Sequence, residues 1–426
     1  MNGPITRPLF TIAAILVAFA APAAAKDAAS YRPDCQRIAA FLEAAVKDSR
    51  TVGASALVWK DGAESCFEVA GQAEREGNRP FARDTLVQAF SMTKPVTGVA
   101  LMQLWEQGKF GLDDPLSWHL PQFANVQVLA GENADGSPIL RAPKRPITVR
   151  DVLRHTAGFT YGAGGNPQNA ADRVWEELQP LSPDKTLAQF ADAMARVPLL
   201  HDPGTHWHYS AGVDVQARLV EVLSGQAYAD YVREHIFAPL GMKDSGWKRE
   251  TRDLARLARI YVADDKGVLQ PMPRESWLEP NFAGKPMTMG GSGLVTTVDD
   301  YMRFARMLLG EGELDGARIL KPATVRLIAT DALDPRIPVS NRLWLPSKGS
   351  GGFGIDVFVR TAPPQTAEEN RGTVGEFFWD GYPSMLFWVD PRQDMAVVFA
   401  TQKVPFDNPL HHDFRDAVYG ADYRGE

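Results

Sequence analysis

A serine placed three residues ahead of a lysine is a pairing that acyl-transfer chemistry can use. On a helix, residues three apart share a face, so the amine lies beside the hydroxyl and can activate it as a nucleophile. The 426-residue chain contains this spacing three times, at Ser91 and Lys94, Ser182 and Lys185, and Ser245 and Lys248. The spacing alone therefore carries little weight. Ser182 precedes Pro183-Asp184 and reads as a surface helix start, and Ser245 lies in the turn-like Asp244-Ser245-Gly246-Trp247. Ser91 differs. It follows the apolar approach Leu86-Val87-Gln88-Ala89-Phe90 and opens a long apolar helix through Val96, Val99, Ala100, Met102 and Leu104. There it sits among unpaired backbone N–H groups at the positive end of the helix dipole, which favours an attacking alkoxide and stabilises an oxyanion. Ser91 is thus expected to be the nucleophile of an acyl-enzyme. Pro95 suits the first helical turn, although it disfavours helical geometry at Lys94.

Lys94 must be neutral to accept a proton. Its ordinary pKa of about 10.4 would have to fall by roughly 3 units, about 4 kcal/mol, to be half neutral near pH 7. Burial and a second cation would achieve that, whereas a phenolate partner would let the lysine stay charged. The residues leave both routes open. Tyr209 is available, following Pro203-Gly204 and Trp207 and preceding the helix that starts at Val213.

Several runs taken together resemble the serine β-lactamase-like hydrolases, in particular class C β-lactamases and family VIII carboxylesterases. They are Phe90-Ser91-Met92-Thr93-Lys94, Leu153-Arg154-His155-Thr156-Ala157-Gly158, Pro203-Gly204-Thr205-His206-Trp207-His208-Tyr209-Ser210, Gly290-Gly291-Ser292-Gly293-Leu294 and Trp379-Asp380-Gly381. The resemblance spans about residues 35 to 403. It implies that Ser91 is acylated and that Lys94 and Tyr209 form the general-base and general-acid unit. It also implies that Trp379-Asp380-Gly381 edges the active site as a strand, and that the N–H groups of Ser91 and Tyr382 form the oxyanion hole. Two departures bear on substrate. The tyrosine motif of β-lactamases usually reads Tyr-x-Asn, and here Ala211 cannot hold a substrate amide. Their third motif usually begins with lysine; Trp379 replaces it with an apolar face and one N–H, and Asp380 would repel a carboxylate if it faced the site. Both changes favour a neutral ester.

The elements that must position these residues are legible from patterning. Asp34 to Lys47 carries apolar residues at helical spacing behind a capping Asp34. Residues 53–59 and 66–70 flank Lys60-Asp61-Gly62 as a hairpin. From residue 91 to about 289 the signals are mostly helical, at 149–154, 186–196, 213–223 and 228–237, with residues 122–148 a surface excursion. From Gly290 a helix capped by Thr297 is followed by strand-like runs at 354–360, 376–379, 385–389 and 396–400. The expected fold is α/β (α+β) and β-lactamase-like. A central antiparallel sheet from residues 34–90 plus 290–420 is flanked by helices, a mostly helical lobe (91–289) is inserted, and the active site lies between the lobes.

Residues 1–25 read as a cleavable signal peptide. Arg7 precedes the apolar run Leu9 to Phe19, and Ala23-Ala24-Ala25 ends in a small-x-small signature with cleavage after Ala25. The run is short for the ~20 residues a membrane span needs, so a soluble periplasmic or secreted protein without stable membrane insertion is expected. The net charge is −7, or −8 without Arg7, which gives no nucleic-acid footprint. Export makes a bridge between Cys35 and Cys66 chemically possible. His155 reads as a fold-holding turn residue. His201, His206 and His208 cluster without a completing ligand, so no metal and no cofactor is expected. Gly290 to Leu294 fails the Gly-x-Ser-x-Gly spacing of another hydrolase class and reads as a close backbone approach. The aromatics Phe159, Tyr161, Trp207, Trp344, Phe353 and Tyr382 are candidates to line an acyl pocket, and of these Tyr161 and Trp344 are expected to bind substrate, since they lie in glycine- or proline-rich loops, where binding residues concentrate.

The expected activity is that of an exported carboxylesterase acting on short-chain neutral esters, its partner a small acyl substrate. A β-lactamase, or a D-amino-acid peptidase or transacylase, is the alternative enzyme. A non-catalytic ligand-binding protein is the alternative of another class.

Overall fold

The structure is a computed structural model that describes residues 31–247, 251–273, 284–423 and 425. The expected signal peptide and Lys248 of the third serine–lysine pair lie outside the described residues. At the first hairpin, β1 (Gly53–Lys60) and β2 (Ala63–Glu74) are joined by Asp61 and Gly62, whose φ angles are 51° and 78°. That left-handed pair is what a two-residue turn matched to strand twist requires. The remaining strands of the main sheet are β3 (Arg79–Pro80), β4 (Gly351–Phe353), β5 (Phe358–Arg360), β6 (Phe377–Asp380), β7 (Leu386–Asp390) and β8 (Met395–Thr401). Their order is β4-β5-β6-β7-β8-β1-β2-β3, with antiparallel neighbours throughout. β1 therefore pairs with β8 from Ala54, opposite Thr401, to Lys60, opposite Met395. The two ends of the chain close one sheet, and residues 33–426 form one compact unit.

Of the run expected as one strand over 354–360, only 358–360 is strand, as β5; residues 354–357 are the turn that joins it to β4. Asp356 adopts φ 55° and Gly354 N–H donates to the Val357 carbonyl at 2.9 Å, so the chain reverses within the run. The other late strands agree with the reading to within a residue or two.

Both faces of the sheet are covered. α1 (Cys35–Lys47), whose Asp34 cap accepts the Arg37 N–H at 3.1 Å, lies on one face with the C-terminal helix Asn408–Tyr419. Phe399 of β8 stacks on Phe414 at 4.1 Å and meets Phe41 at 6.2 Å. The helix Val298–Leu309, capped by Thr297, covers the other face, with Tyr301 5.0 Å from Phe387. Coverage on both sides explains why Phe377-Phe378-Trp379 reads as an unbroken apolar run rather than an alternating one.

The serine helix is α2 (Thr93–Glu106), packed against α3 (Gly212–Ser224). Eleven of its 14 residues are buried, so it is apolar nearly all round. Pro95 is its third residue, where an amide N–H would have no helical partner anyway, and Lys94 stays helical despite that proline. The surface excursion is a hairpin of Val128–Glu132 with Pro138–Arg141.

A disulfide joins Cys35 at the head of α1 to Cys66 in β2, with Cα atoms 5.5 Å apart and a sequence separation of 31. Closing a loop of that length restricts the unfolded chain by about 3–4 kcal/mol. Replacing both cysteines by alanine is expected to lower the unfolding free energy by that increment and the urea midpoint with it, and dithiothreitol should reproduce the loss in the wild type. An unchanged midpoint would show that the bridge does not contribute.

Candidate active site

Ser91 sits in a 3₁₀ turn, Phe90–Met92, immediately before α2. It stands one turn outside the regular helix rather than at its first residue. Phe90 adopts φ 45°, a left-handed conformation that costs a non-glycine residue of order 1–3 kcal/mol. Three bonds hold the turn. Thr93 Oγ1 donates to the Phe90 carbonyl at 2.6 Å and accepts the Leu294 N–H at 3.1 Å; the Tyr301 hydroxyl donates to the Met92 carbonyl at 2.7 Å. Just upstream, Val87–Gln88 pairs with Val295–Thr296, and Ala89 N–H donates to the Leu294 carbonyl at 2.8 Å. The turn that carries Ser91 is thus fastened to the segment that follows the glycine run 290–293.

Lys94 is fully buried. Its Nζ donates to Ser91 Oγ at 3.0 Å and to the Gly291 carbonyl at 2.7 Å. The Tyr209 hydroxyl donates to the same Ser91 Oγ at 2.7 Å, and Lys94 Nζ lies 4.6 Å from the Tyr209 ring centre. The three residues singled out from sequence therefore converge on one oxygen. Burial pulls the Lys94 amine down to about 8, against the opposing charges of Asp214, Asp356 and Asp380. Burial pushes the Tyr209 phenol far above its ordinary value, and the Ser91 hydrogen bond only partly offsets this. Of the two partners, the amine is the one whose proton-accepting form exists near neutral pH.

Two buried carboxylates support this arrangement and had no recognisable pattern in the sequence. Asp214, in the first turn of α3, accepts the Gly291 N–H at 3.1 Å and is pushed up to about 6 by burial. Asp356 accepts from Gln216 Nε2 at 3.0 Å, and burial raises it well above the usual range. Gly291 is therefore clamped at both ends, its carbonyl on Lys94 and its N–H on Asp214. The close approach expected of the glycine run is real: a Cβ on Gly290 would lie 2.6 Å from Ala217 Cβ.

A cavity of about 370 Å³ opens on Ser91 and Tyr209, walled by Trp344, Lys348, Asp380 and Tyr382, with Phe406 and Asn408 at its edge. Trp379, expected to present its face to substrate, does not border the cavity: it is fully buried, 5.6 Å from the Tyr209 ring. Gly381 is needed at the next position, because a Cβ there would come within 2.5 Å of the Ala89 carbonyl oxygen. That close approach sets Tyr382 beside the turn that carries Ser91, with its ring 6.1 Å from Phe90. Tyr161, expected on the pocket wall, does not border this cavity; its ring centre is 5.5 Å from Lys94 Nζ and 5.5 Å from the Tyr209 ring. Phe159, Trp207 and Phe353 are core.

Lys348 was missed by sequence reasoning. Its ammonium is hydrogen-bonded to the Asp380 carboxylate, so the charge expected to repel an anion is already neutralised. The lysine ends the 3₁₀ turn Leu345–Lys348, 32 residues upstream, and no local pattern marks it. His155 is buried at φ 57° and its carbonyl accepts the His208 N–H at 2.9 Å, as a turn-holding residue would. His201 and His206 stack at 3.7 Å. Ser245 is tied to Thr296 and Asp300, away from any lysine amine among the described residues, and Ser182 lies in a turn.

A family model described as Beta-lactamase matches residues 38–420. Lovastatin esterase from Penicillium rubens is 30% identical over 81% of this chain and 87% of its own. Esterase EstB from Burkholderia gladioli is 28% identical over 93% and 99%, and a monacolin J acid methylbutanoyltransferase from Aspergillus terreus is 27% identical over 84% and 88%. Among solved structures, unliganded simvastatin synthase (LovD) from Aspergillus terreus superposes with a TM-score of 0.76 at 25% identity, covering 91% of this chain and 97% of that one. With the family model spanning nearly its whole length, and esterases and acyltransferases among its relatives, the protein belongs to the beta-lactamase family and is an enzyme of the serine hydrolase type.

Proposed function

We propose that the protein is an exported carboxylesterase that cleaves short-chain neutral esters through an acyl-Ser91 intermediate. The observation that carries this reading is the pair of hydrogen bonds from Lys94 and Tyr209 onto Ser91 Oγ at the floor of an aromatic-walled cavity. In the reactive form Lys94 is neutral and Ser91 donates to it. Ser91 Oγ bonds to the ester carbonyl carbon as its proton passes to Lys94. The carbonyl oxygen becomes an oxyanion facing the N–H groups of Ser91 and Tyr382. The proton then moves through the Lys94–Tyr209 unit to the leaving alkoxide, and the C–O bond breaks. Water attacks the acyl-enzyme by the reverse path, releasing the carboxylic acid and restoring Ser91. Preorganised donors of this kind are worth about 2.7–4 kcal/mol each.

Ala211 and the Lys348–Asp380 pair support an ester over a β-lactam. Ala211 offers no side-chain hydrogen bond to a substrate amide, and the cavity ammonium is already engaged by a carboxylate. The acyltransferases among the relatives support one second reading, in which an alcohol replaces water as the acceptor. The apolar run ahead of Ala23-Ala24-Ala25 supports export, and no helix among the described residues is long and apolar enough to cross a membrane.

Hydrolysis of p-nitrophenyl acetate and butyrate by the wild type should greatly exceed that of nitrocefin, and Ser91→Ala should abolish it. Equal rates for wild type and Ser91→Ala would overturn the assignment. Lys94→Ala and Tyr209→Phe should each lower kcat by about 10²–10⁴-fold.

The acid limb of kcat/KM should rise with pH through about 8, because the reactive form needs the neutral Lys94 amine. Asp214 and Asp356 stabilise the ammonium, so removing the charge of one favours the neutral amine. Asp214→Asn should accordingly move the limb to lower pH; a shift to higher pH would contradict the role of Lys94. Because the lysine and tyrosine titrate as a unit, the apparent value belongs to the pair.

A further inference from the structure

The cavity beside Ser91 holds a cation that the proposed reaction does not use. Lys348 is nearly buried, yet its side chain borders the cavity together with Ser91 and Tyr209. Its ammonium is surrounded by aromatic faces, 4.3 Å from the Phe406 ring centre, 5.3 Å from Trp344 and 5.7 Å from Trp379. One carboxylate, Asp380, closes the remaining side by a direct hydrogen bond. Asp380 is itself near enough to the reacting groups to act on Lys94 and Tyr209 through its charge. An ammonium in a cavity, screened from water by rings, is a strong point for binding a carboxylate. Here that point is occupied by the protein's own carboxylate, carried on the residue before Gly381.

We propose that Asp380 is a specificity-determining residue that occupies Lys348 in place of a substrate carboxylate and so restricts the enzyme to uncharged esters. This inference rests on the cavity being the substrate site, as proposed above. A substrate anion reaching Lys348 must displace Asp380 and then lie against its charge, since β6 holds that side chain in place. An uncharged ester meets a neutral pair and pays neither cost. Removing the carboxylate while keeping its shape, as in Asp380→Asn, leaves the ammonium in the cavity with only aromatic faces and an amide oxygen around it. The site should then accept anions.

The test uses matched esters that differ only by a carboxylate and its methyl ester: 4-acetoxybenzoate against methyl 4-acetoxybenzoate, and phenyl hydrogen adipate against phenyl methyl adipate. The first pair carries the charge on the leaving group and the second on the acyl group. The quantity read is the ratio of kcat/KM for the anion to that for its methyl ester. Within each variant this ratio is independent of how much enzyme is folded. The wild type should favour the methyl esters. Asp380→Asn should raise the ratio by about 10-fold or more for at least one pair. Adding Lys348→Met to Asp380→Asn should cancel the gain, because the attracting charge is gone. An unchanged ratio in Asp380→Asn for both pairs, or a gain that survives in the double variant, would overturn the proposal. Failure of the wild type to turn over either methyl ester in a Ser91-dependent way would instead overturn the esterase reading, and this inference with it.

Discussion

Everything at the site depends on burying one ammonium. Lys94 loses its water because α2 is packed on nearly every side, and the cost of a buried charge is what brings its pKa down to about 8. That shift from 10.5 corresponds to roughly 3 kcal/mol against the charged form. In the proposed reaction this is what lets the amine take the Ser91 proton near neutral pH. The Gly291 carbonyl at 2.7 Å gives the buried nitrogen a fixed acceptor, and Asp214 in turn fixes Gly291. Burial lowers the pKa while distant carboxylates limit the fall, so the group is poised rather than simply neutralised.

The rest of the architecture serves to hold Ser91, Tyr209 and residue 382 around that amine. Their positions come from unrelated parts of the chain: a strained turn before α2, the segment ahead of α3, and the end of β6. β1 and β8 close the sheet from opposite ends of the sequence, which fixes β6 and β7 beside them. Gly381 then lets the end of β6 approach Ala89 closely enough to set Tyr382 by the turn that carries Ser91. The left-handed Phe90 is the local cost of presenting Ser91 outside the helix, and its three side-chain and backbone ties show how that cost is met.

Much of this was legible before the structure because it is local. The Asp34 and Thr297 caps, the Asp61-Gly62 turn and the apolar runs of β6 to β8 each state their geometry in a few neighbouring residues. Ser91 could be chosen among three serine–lysine pairs because its flanks are apolar. What escaped is non-local. Asp214 is one acidic residue in a first helical turn, and Asp356 falls inside a run expected as strand; only packing against α2 makes them part of the site. Lys348 reaches Asp380 from the separate 3₁₀ turn Leu345–Lys348, so the charge balance of the cavity is not legible from Asp380 alone. Tyr161 was placed on the cavity wall by its loop composition, whereas it packs against Tyr209 and Trp175 and does not border the cavity. The 354–357 reversal was missed because a turn at Asp356 requires a φ that its residue type permits but does not announce.

The central claim is that Ser91 carries the acyl group. Mixing the enzyme with a short-chain p-nitrophenyl ester, quenching in acid within the first turnover and measuring the intact mass would test it most directly. The account predicts a mass increase equal to one acyl group, mapped by proteolysis to the peptide containing Ser91 and absent from Ser91→Ala. Turnover with no acylated species, or an acyl group on a different residue, would contradict it.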